Sequence, residues 1–218
     1  AMQGVRRADL RLGEWAAVIG LGLLGQITAQ LLRTSGVNVI GFDLDVTRVK
    51  KAKASGLAYG FATSEVDPVV ETLRQTQKHG VDATIITAAS RSDAISQQAI
   101  QMTRKKGKVV VVGAVGLGLK RSPLYEKEID FLISCSYGPG RYDPTYEEYG
   151  VDYPYPYVRW TENRNLTEYL RLMATGQVDF NALIDVEFPI EQAAEAYAAL
   201  QAPTPPTAVL FHYPAADQ

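Results

Sequence analysis

Apolar residues along this chain come in short, nearly unbroken runs, separated by stretches in which they recur at helical spacing. "WAAVIG", residues 15–20, is the first run, and helical spacing follows over 23–33. "VNVIGFD" (37–43) is the second strand, with a short helix over 47–54 behind it. The pattern then predicts a helix over 66–80, a strand over 81–89, a helix over 92–107, and strands over 108–114 and 129–138. A helix over 163–175, a strand over 183–188, a helix over 190–200 and, after a "PTPP" breaker, a strand over 207–213 complete the chain. Strands apolar on both faces, alternating with helices, predict a doubly wound parallel α/β sheet. Gly36, Gly80 and Gly107 each stand where a helix hands over to a strand, a place that favours glycine because the backbone turns left-handed there. The basic cluster in "TRKKG" suits the negative end of the helix expected before Gly107.

The pattern changes after residue 137. The segment from Tyr137 to Trp160 holds seven of the twelve tyrosines and four of the eleven prolines. It reads as a long ordered loop, since so many aromatic rings do not stay solvated singly. Two uses suit it. Its tyrosines, with Arg141, Arg159 and Glu162, offer a surface for a polyol or a partner domain; equally, they build a cover over the edge of the sheet.

The first strand ends in Gly20-Leu21-Gly22-Leu23-Leu24-Gly25, a G-x-G-x-x-G between a strand and a helix. In that setting each glycine has a reason: Gly20 for the tight turn, Gly22 for close approach of a pyrophosphate, Gly25 for close helix packing. The free N–H groups that open the helix then face the phosphates. Asp43 ends the second strand, where a carboxylate accepts hydrogen bonds from the adenosine ribose and repels a 2′-phosphate. NAD is therefore favoured over NADP. Arg48 lies five residues on, placed to cover the adenine or to neutralise a phosphate, which softens that preference. Asp45 is the better candidate for a helix cap. A methyltransferase using S-adenosylmethionine shares the turn and the acid, but its cofactor has no pyrophosphate to meet the third glycine.

A formal net charge of −2 gives no field that would draw nucleic acid or an anionic membrane. No apolar run approaches the roughly 20 residues that span a bilayer, and no leader pattern is visible. Ala1 reads as a cloning remnant ahead of Met2. The one cysteine, Cys135, forms no internal disulfide, which makes the cytoplasm the default location. It falls in an apolar strand and is expected as a core thiol. His79 and His212 lie far apart, and with Cys135 they lack the close spacing of a zinc site, so no zinc is expected in this chain. Lys127 and Glu128 read as a packing or salt-bridge pair. Tyr125 and Lys127 are two apart, unlike the Tyr-x-x-x-Lys pair of short-chain dehydrogenases. No convincing general acid is present, and no catalytic residue is assigned.

"GEWAAVIGLGLLG…VIGFDLDVTRVKKAKASGL" resembles the cofactor domain of the medium-chain, zinc-type alcohol, sorbitol and threonine dehydrogenases. "GVDATIITAAS", "GKVVVVGAVG" and "YEKEIDFLISCSYG" are similar to the family's fourth, fifth and sixth strand segments, in order. "LIDVEFPIEQAAEAYAAL" is similar to its closing segment, which returns to the catalytic domain. The resemblance implies a dinucleotide-binding domain over 1–178 and a remnant of the catalytic lobe over 179–218. It implies that Gly20, Leu21, Gly22, Leu23, Leu24 and Gly25 hold the pyrophosphate and that Asp43 and Arg48 hold the adenosine. Thr87 and Ala88 would line the cleft. Val112, Gly113 and Ala114 would meet the nicotinamide carboxamide, with Ile133 and Ser134 near its far edge.

The family's N-terminal catalytic domain, of GroES-like fold, carries the ligands of the catalytic zinc and lies outside this sequence. The tyrosine-rich segment resembles a subgroup fused to a glucose–fructose-oxidoreductase-like module. The resemblance thus implies hydride transfer between a nicotinamide and an alcohol or carbonyl, with a sugar-derived substrate as one class. It also implies a homodimer paired through an edge strand over 131–137. The rival reading is a non-catalytic nucleotide-binding or redox-sensing module.

Overall fold

A computed structural model of the protein describes residues 1–214. The chain divides into two compact units, Ala1–Val178 and Asp179–Gln218. The first unit opens on α1 (Met2–Ala8), which the sequence pattern does not announce, followed by β1 (Trp15–Ile19), α2 (Leu23–Thr34), β2 (Asn38–Asp43) and α3 (Val46–Ala54). It continues through β3 (Tyr59–Ala62), α4 (Pro68–Gln75), β4 (Val81–Ile86), α5 (Ala94–Met102), β5 (Thr103–Val111), α6 (Arg121–Lys127) and β6 (Asp130–Ile133). Then come α7 (Pro144–Glu147) and α8 (Glu162–Ala174).

The six strands form one parallel sheet in the order β3-β2-β1-β4-β5-β6. That is the doubly wound order, with the topological switch beside β1. Side chains alternate across each strand, so β1 feeds two cores: Ala16 and Val18 join one apolar cluster, Ala17 and Ile19 the other. In the second unit, β7 (Ile184–Pro189) and β8 (Ala208–His212) pair in parallel, with α9 (Ala193–Leu200) between them in sequence.

Three expectations are corrected. The helix expected over 92–107 ends at Met102, and "TRKKG" begins β5. Thr103 turns to an extended backbone, and its hydroxyl lies 2.8 Å from both the Ala99 carbonyl and the Thr84 hydroxyl. The helix end is instead covered by Lys127, whose ammonium donates to the carbonyls of Ile100, Gln101 and Thr103. Arg104, Lys106 and Lys108 therefore do not serve the helix; they pair with Asp82, Glu128 and Asp9. Lys127 and Glu128 accordingly do not pair with each other. Gly36 and Gly80 take the left-handed backbone (φ 77° and 85°), but beside Gly107 it is Lys106 that does (φ 59°).

The second correction concerns α4, which stops at Gln75 because Gln77 and Lys78 both turn to positive φ before Gly80. The third concerns the strand expected over 129–138. β6 holds only four residues, and Ser136 (φ 42°) turns the chain away. Cys135 is therefore exposed, not a core thiol.

Candidate nucleotide-binding site

The glycine turn is built from contacts that a side chain would destroy. Gly20 takes φ +95°, and a Cβ there would press on the backbone of Ala88 at 2.8 Å. At Gly25 a Cβ would fall on the Gly20 carbonyl, with the Thr87 hydroxyl 2.9 Å away. Thr87 locks the turn from the other side, donating its hydroxyl to the carbonyls of Ile19 (3.1 Å) and Gly20 (2.6 Å). Gly22 differs. It is the N-cap of α2, and within 4 Å a Cβ would meet only the Arg48 guanidinium, at 3.9 Å. Open space in front of a helix N-terminus, where backbone N–H groups lack partners, is what a phosphate requires.

Asp43 closes the other end of the turn. Its buried carboxylate accepts from the Leu21 N–H (2.6 Å) with one oxygen and from the Asp45 N–H (2.8 Å) with the other. Each oxygen keeps lone-pair capacity for a further donor. Arg48 lies 4.0 Å from Asp43 and 3.8 Å from Asp45, so its charge is shared across the mouth of the turn. Asp45 caps α3 through the Thr47 N–H, as its position in "DLDVT" suggests. Gln26, fully buried, pins the two halves together by donating to the carbonyls of Leu21 and Arg48, both at 3.0 Å.

These residues face a cleft of about 930 Å³. Gly20, Gly22, Asp43, Arg48, Thr87 and Ala88 all line it. The other expected site residues do not. Leu21 and Gly25 are buried within the turn, and Leu24 is 42% exposed and faces a separate pocket. Val112, Gly113 and Ala114 follow β5. The first two donate to the Ile86 carbonyl, and the Ala114 carbonyl accepts from Ser90. A Cβ on Gly113 would run into the Ala88 carbonyl. Ile133, half-exposed, ends β6, and Ser134 adds one more bond to Val111 beyond it.

The cleft also has walls that sequence reasoning missed: Thr63, Ser64 and Asp67 after β3, and Ser90 and Gln98 around the start of α5. Thr63 donates its N–H to the Asp43 carbonyl (2.9 Å), while its hydroxyl is shielded from solvent and has no partner. The signal available for these residues was positional, since loops at the C-terminal ends of parallel strands border the ligand crevice. Detecting it required β3, a four-residue strand that the pattern did not reveal. Among the described residues no group of three His, Cys, Asp or Glu side chains is placed to hold a metal ion. Among the same residues no helix is long and apolar enough to cross a membrane.

Comparisons with known proteins bear on the family and the fold. Residues 24–179 match the family described as zinc-binding dehydrogenase. The D-guloside 3-dehydrogenase of Escherichia coli K12 is 30% identical over 204 residues, covering 90% of this chain and 53% of its own length. The chain thus spans about half the length of the curated relatives it matches. The alcohol dehydrogenase TADH from Thermus sp. ATN1 superposes with a TM-score of 0.76 at 20% identity, over 97% of this chain and 54% of its own. A zinc-binding dehydrogenase from Sinorhizobium meliloti 1021, bound to NADP, superposes with a TM-score of 0.68 at 21% identity, over 89% of this chain and 51% of its own. At these identities the superpositions speak for the fold, and the family match speaks for descent: this chain belongs to the zinc-binding dehydrogenase family.

Proposed function

We propose that Ala1–Val178 is the nicotinamide-dinucleotide domain of an oxidoreductase acting on an alcohol or carbonyl carbon, sugar derivatives included, and that residues 179–218 belong to its substrate lobe. The observation that carries this reading is the contrast between Gly22 and its neighbours. The turn is packed to contact at Gly20 and Gly25 and open at Gly22, beside a carboxylate with spare accepting capacity. Gly22 and the first N–H groups of α2 hold the pyrophosphate. Asp43 accepts from the adenosine ribose, and Arg48 covers that end. Thr87 and Ala88 line the cleft beyond, and the nicotinamide extends out of it towards Val112, Gly113, Ala114, Ile133 and Ser134, which stand outside the cleft wall.

A bound nicotinamide supplies the hydride acceptor or donor; the protein's part is to position it and exclude water. Asp43 disfavours a 2′-phosphate by charge, so NAD is the preferred cofactor, with Arg48 narrowing the margin. The sheet ends at β6, an edge strand with partly buried Phe131 and Leu132, and a homodimer pairs these edges. Calorimetric titration of NADH and NADPH into the wild-type protein and Asp43→Ala tests the assignment. NADH binds tighter than NADPH in the wild type, and the preference falls at least tenfold in the variant. A folded protein that binds neither nucleotide at millimolar concentration overturns it.

A further inference from the structure

Gln26 lies buried in the first turn of α2 and grips the glycine turn at two successive carbonyls. Its backbone N–H donates to the Gly22 carbonyl (2.9 Å), the ordinary first bond of a helix capped at Gly22. Its side-chain Nε2 donates to the Leu21 carbonyl (3.0 Å), and that bond belongs to no helix. A helix begun one residue earlier would satisfy the Leu21 carbonyl through the Gly25 N–H; here the side-chain amide takes that place. The other Nε2 hydrogen goes to the Arg48 carbonyl (3.0 Å), so both amide hydrogens are used inside the protein.

The consequence falls on the far side of the same peptide. A peptide group is planar and trans, so its C=O and N–H point in opposite directions. With the Leu21 carbonyl turned onto Gln26, the Gly22 N–H is turned away from it. Asp43 fixes the preceding peptide, accepting the Leu21 N–H at 2.6 Å. Gly22 lines the cleft, and a Cβ on it would meet only Arg48 within 4 Å. Among the described residues the Gly22 N–H has no backbone acceptor.

We propose that Gln26 is a positioning residue for an anionic oxygen at the glycine turn: its side chain holds the Leu21–Gly22 peptide so that the Gly22 N–H is presented to a phosphate of the bound nucleotide. This role rests on the dinucleotide reading above and assigns a residue that itself touches no ligand. A donor fixed before the anion arrives needs no reorganisation on binding. Without the side-chain amide, the peptide loses the bond that orients it. Rotated, it sets the Leu21 carbonyl, an acceptor, where the phosphate approaches.

The bond to Arg48 offers a competing use. A brace between the turn and α3, which carries Arg48, would serve the adenosine end as much as the phosphates. The two uses predict different losses. A brace matters equally to adenosine and to its phosphates, whereas peptide orientation matters only to a ligand that carries phosphate.

The test compares ADP with adenosine by amide NMR of the labelled protein, in the wild type and in Gln26→Met, a side chain of similar length that donates nothing. In the wild type, ADP moves the Gly22 amide proton downfield in a saturable manner, and adenosine does not. Gln26→Met weakens ADP at least tenfold, leaves adenosine within twofold and abolishes the Gly22 response. Equal loss of the two ligands, or an unchanged affinity for ADP, overturns the proposal. The wild-type response is read without any variant, so its absence on ADP binding overturns the proposal even where Gln26→Met fails to fold. NADH added to the same samples separates the two readings. NADH and ADP that bind the wild type and Gln26→Met alike remove the positioning role alone. ADP that binds through Gly22 and is lost in Gln26→Met, with no binding of NADH, removes the dehydrogenase reading alone.

Discussion

The glycine turn and the tyrosine-rich segment are both irregular stretches that follow a strand of the same sheet, and they are held by different forces. From Gly20 to Gly25 the chain is fixed by backbone against backbone. Carbonyls, N–H groups and missing Cβ atoms set the distances, and the side chains that reach the turn, Thr87, Asp43 and Gln26, all bond to its backbone groups. From Tyr137 to Trp160 the chain is fixed by side chains. Tyr146 stacks on Tyr153, whose hydroxyl donates to Asp143. Arg164 gathers the carbonyls of Val158 and Tyr153 and the carboxylate of Asp152. Arg159 lies over both Tyr155 and Trp160, and Arg6 over Trp160. A turn of the first kind tolerates no added atom at Gly20 or Gly25. A loop of the second kind tolerates most single changes but responds to pH and to the loss of a ring.

Substitution at the glycines breaks the comparison most sharply. Gly25→Ala forces a methyl into the Gly20 carbonyl, so denaturant unfolding is expected to show a loss of about 3 kcal/mol or more. A loss under 1 kcal/mol would mean that the turn relaxes and is not fixed by backbone contact. Gly22→Ala, three residues away, meets open space, and stability falls by only about 1 kcal/mol, the usual cost of alanine at an N-cap. If Gly22 holds the pyrophosphate as proposed, NADH affinity nevertheless falls at least tenfold, because the methyl would stand where the phosphates approach. Stability and binding thus separate between two glycines of one motif.

The tyrosine-rich segment is probed by acid. The Tyr153 hydroxyl and then the Thr145 N–H hold the Asp143 carboxyl below its ordinary value. A depressed carboxyl contributes stability that is present above the ordinary pKa of about 3.9 and is lost as pH falls through the lower folded value. Near-ultraviolet circular dichroism of the tyrosines is therefore constant from neutral pH down to about that point and changes below it, while the far-ultraviolet signal of the sheet persists. Tyr153→Phe moves the change to higher pH; an unmoved transition would show that the hydroxyl does not hold the loop.

The smallest effect is at Cys135, on the border between the two regions. An exposed thiol reacts with Ellman's reagent in the native protein at the rate seen in denaturant, and Cys135→Ser changes stability by less than about 0.5 kcal/mol. Protection of the thiol in the native state would place β6 further along the chain than Ile133.

Legibility in the sequence follows the same division. The glycine motif, Asp43 and the Asp45 cap could be read because each depends on a local backbone requirement that few residue types meet. The short strand β3 and the loop of Thr63 and Asp67 behind it escaped notice. Four residues carry too little periodicity, and their role comes from lying beside β2. The end of α5 was misread for a related reason. "TRKKG" looks helical in isolation, yet Arg104 is drawn to Asp82 and Lys127 takes over the carbonyls of the helix end, both from more than 20 residues away.

By itself, then, the sequence determined the alternation of strands and helices, the parallel sheet and the place of the glycine turn. These rest on the period of apolar residues and on glycine's freedom from a Cβ. Only the tertiary structure decided which strand ends meet across the cleft, where β6 stops, which cations cap which helix, and that Gln26 reaches the carbonyls of both Leu21 and Arg48. Those outcomes depend on contacts between residues far apart in the chain, whose energies no local pattern records.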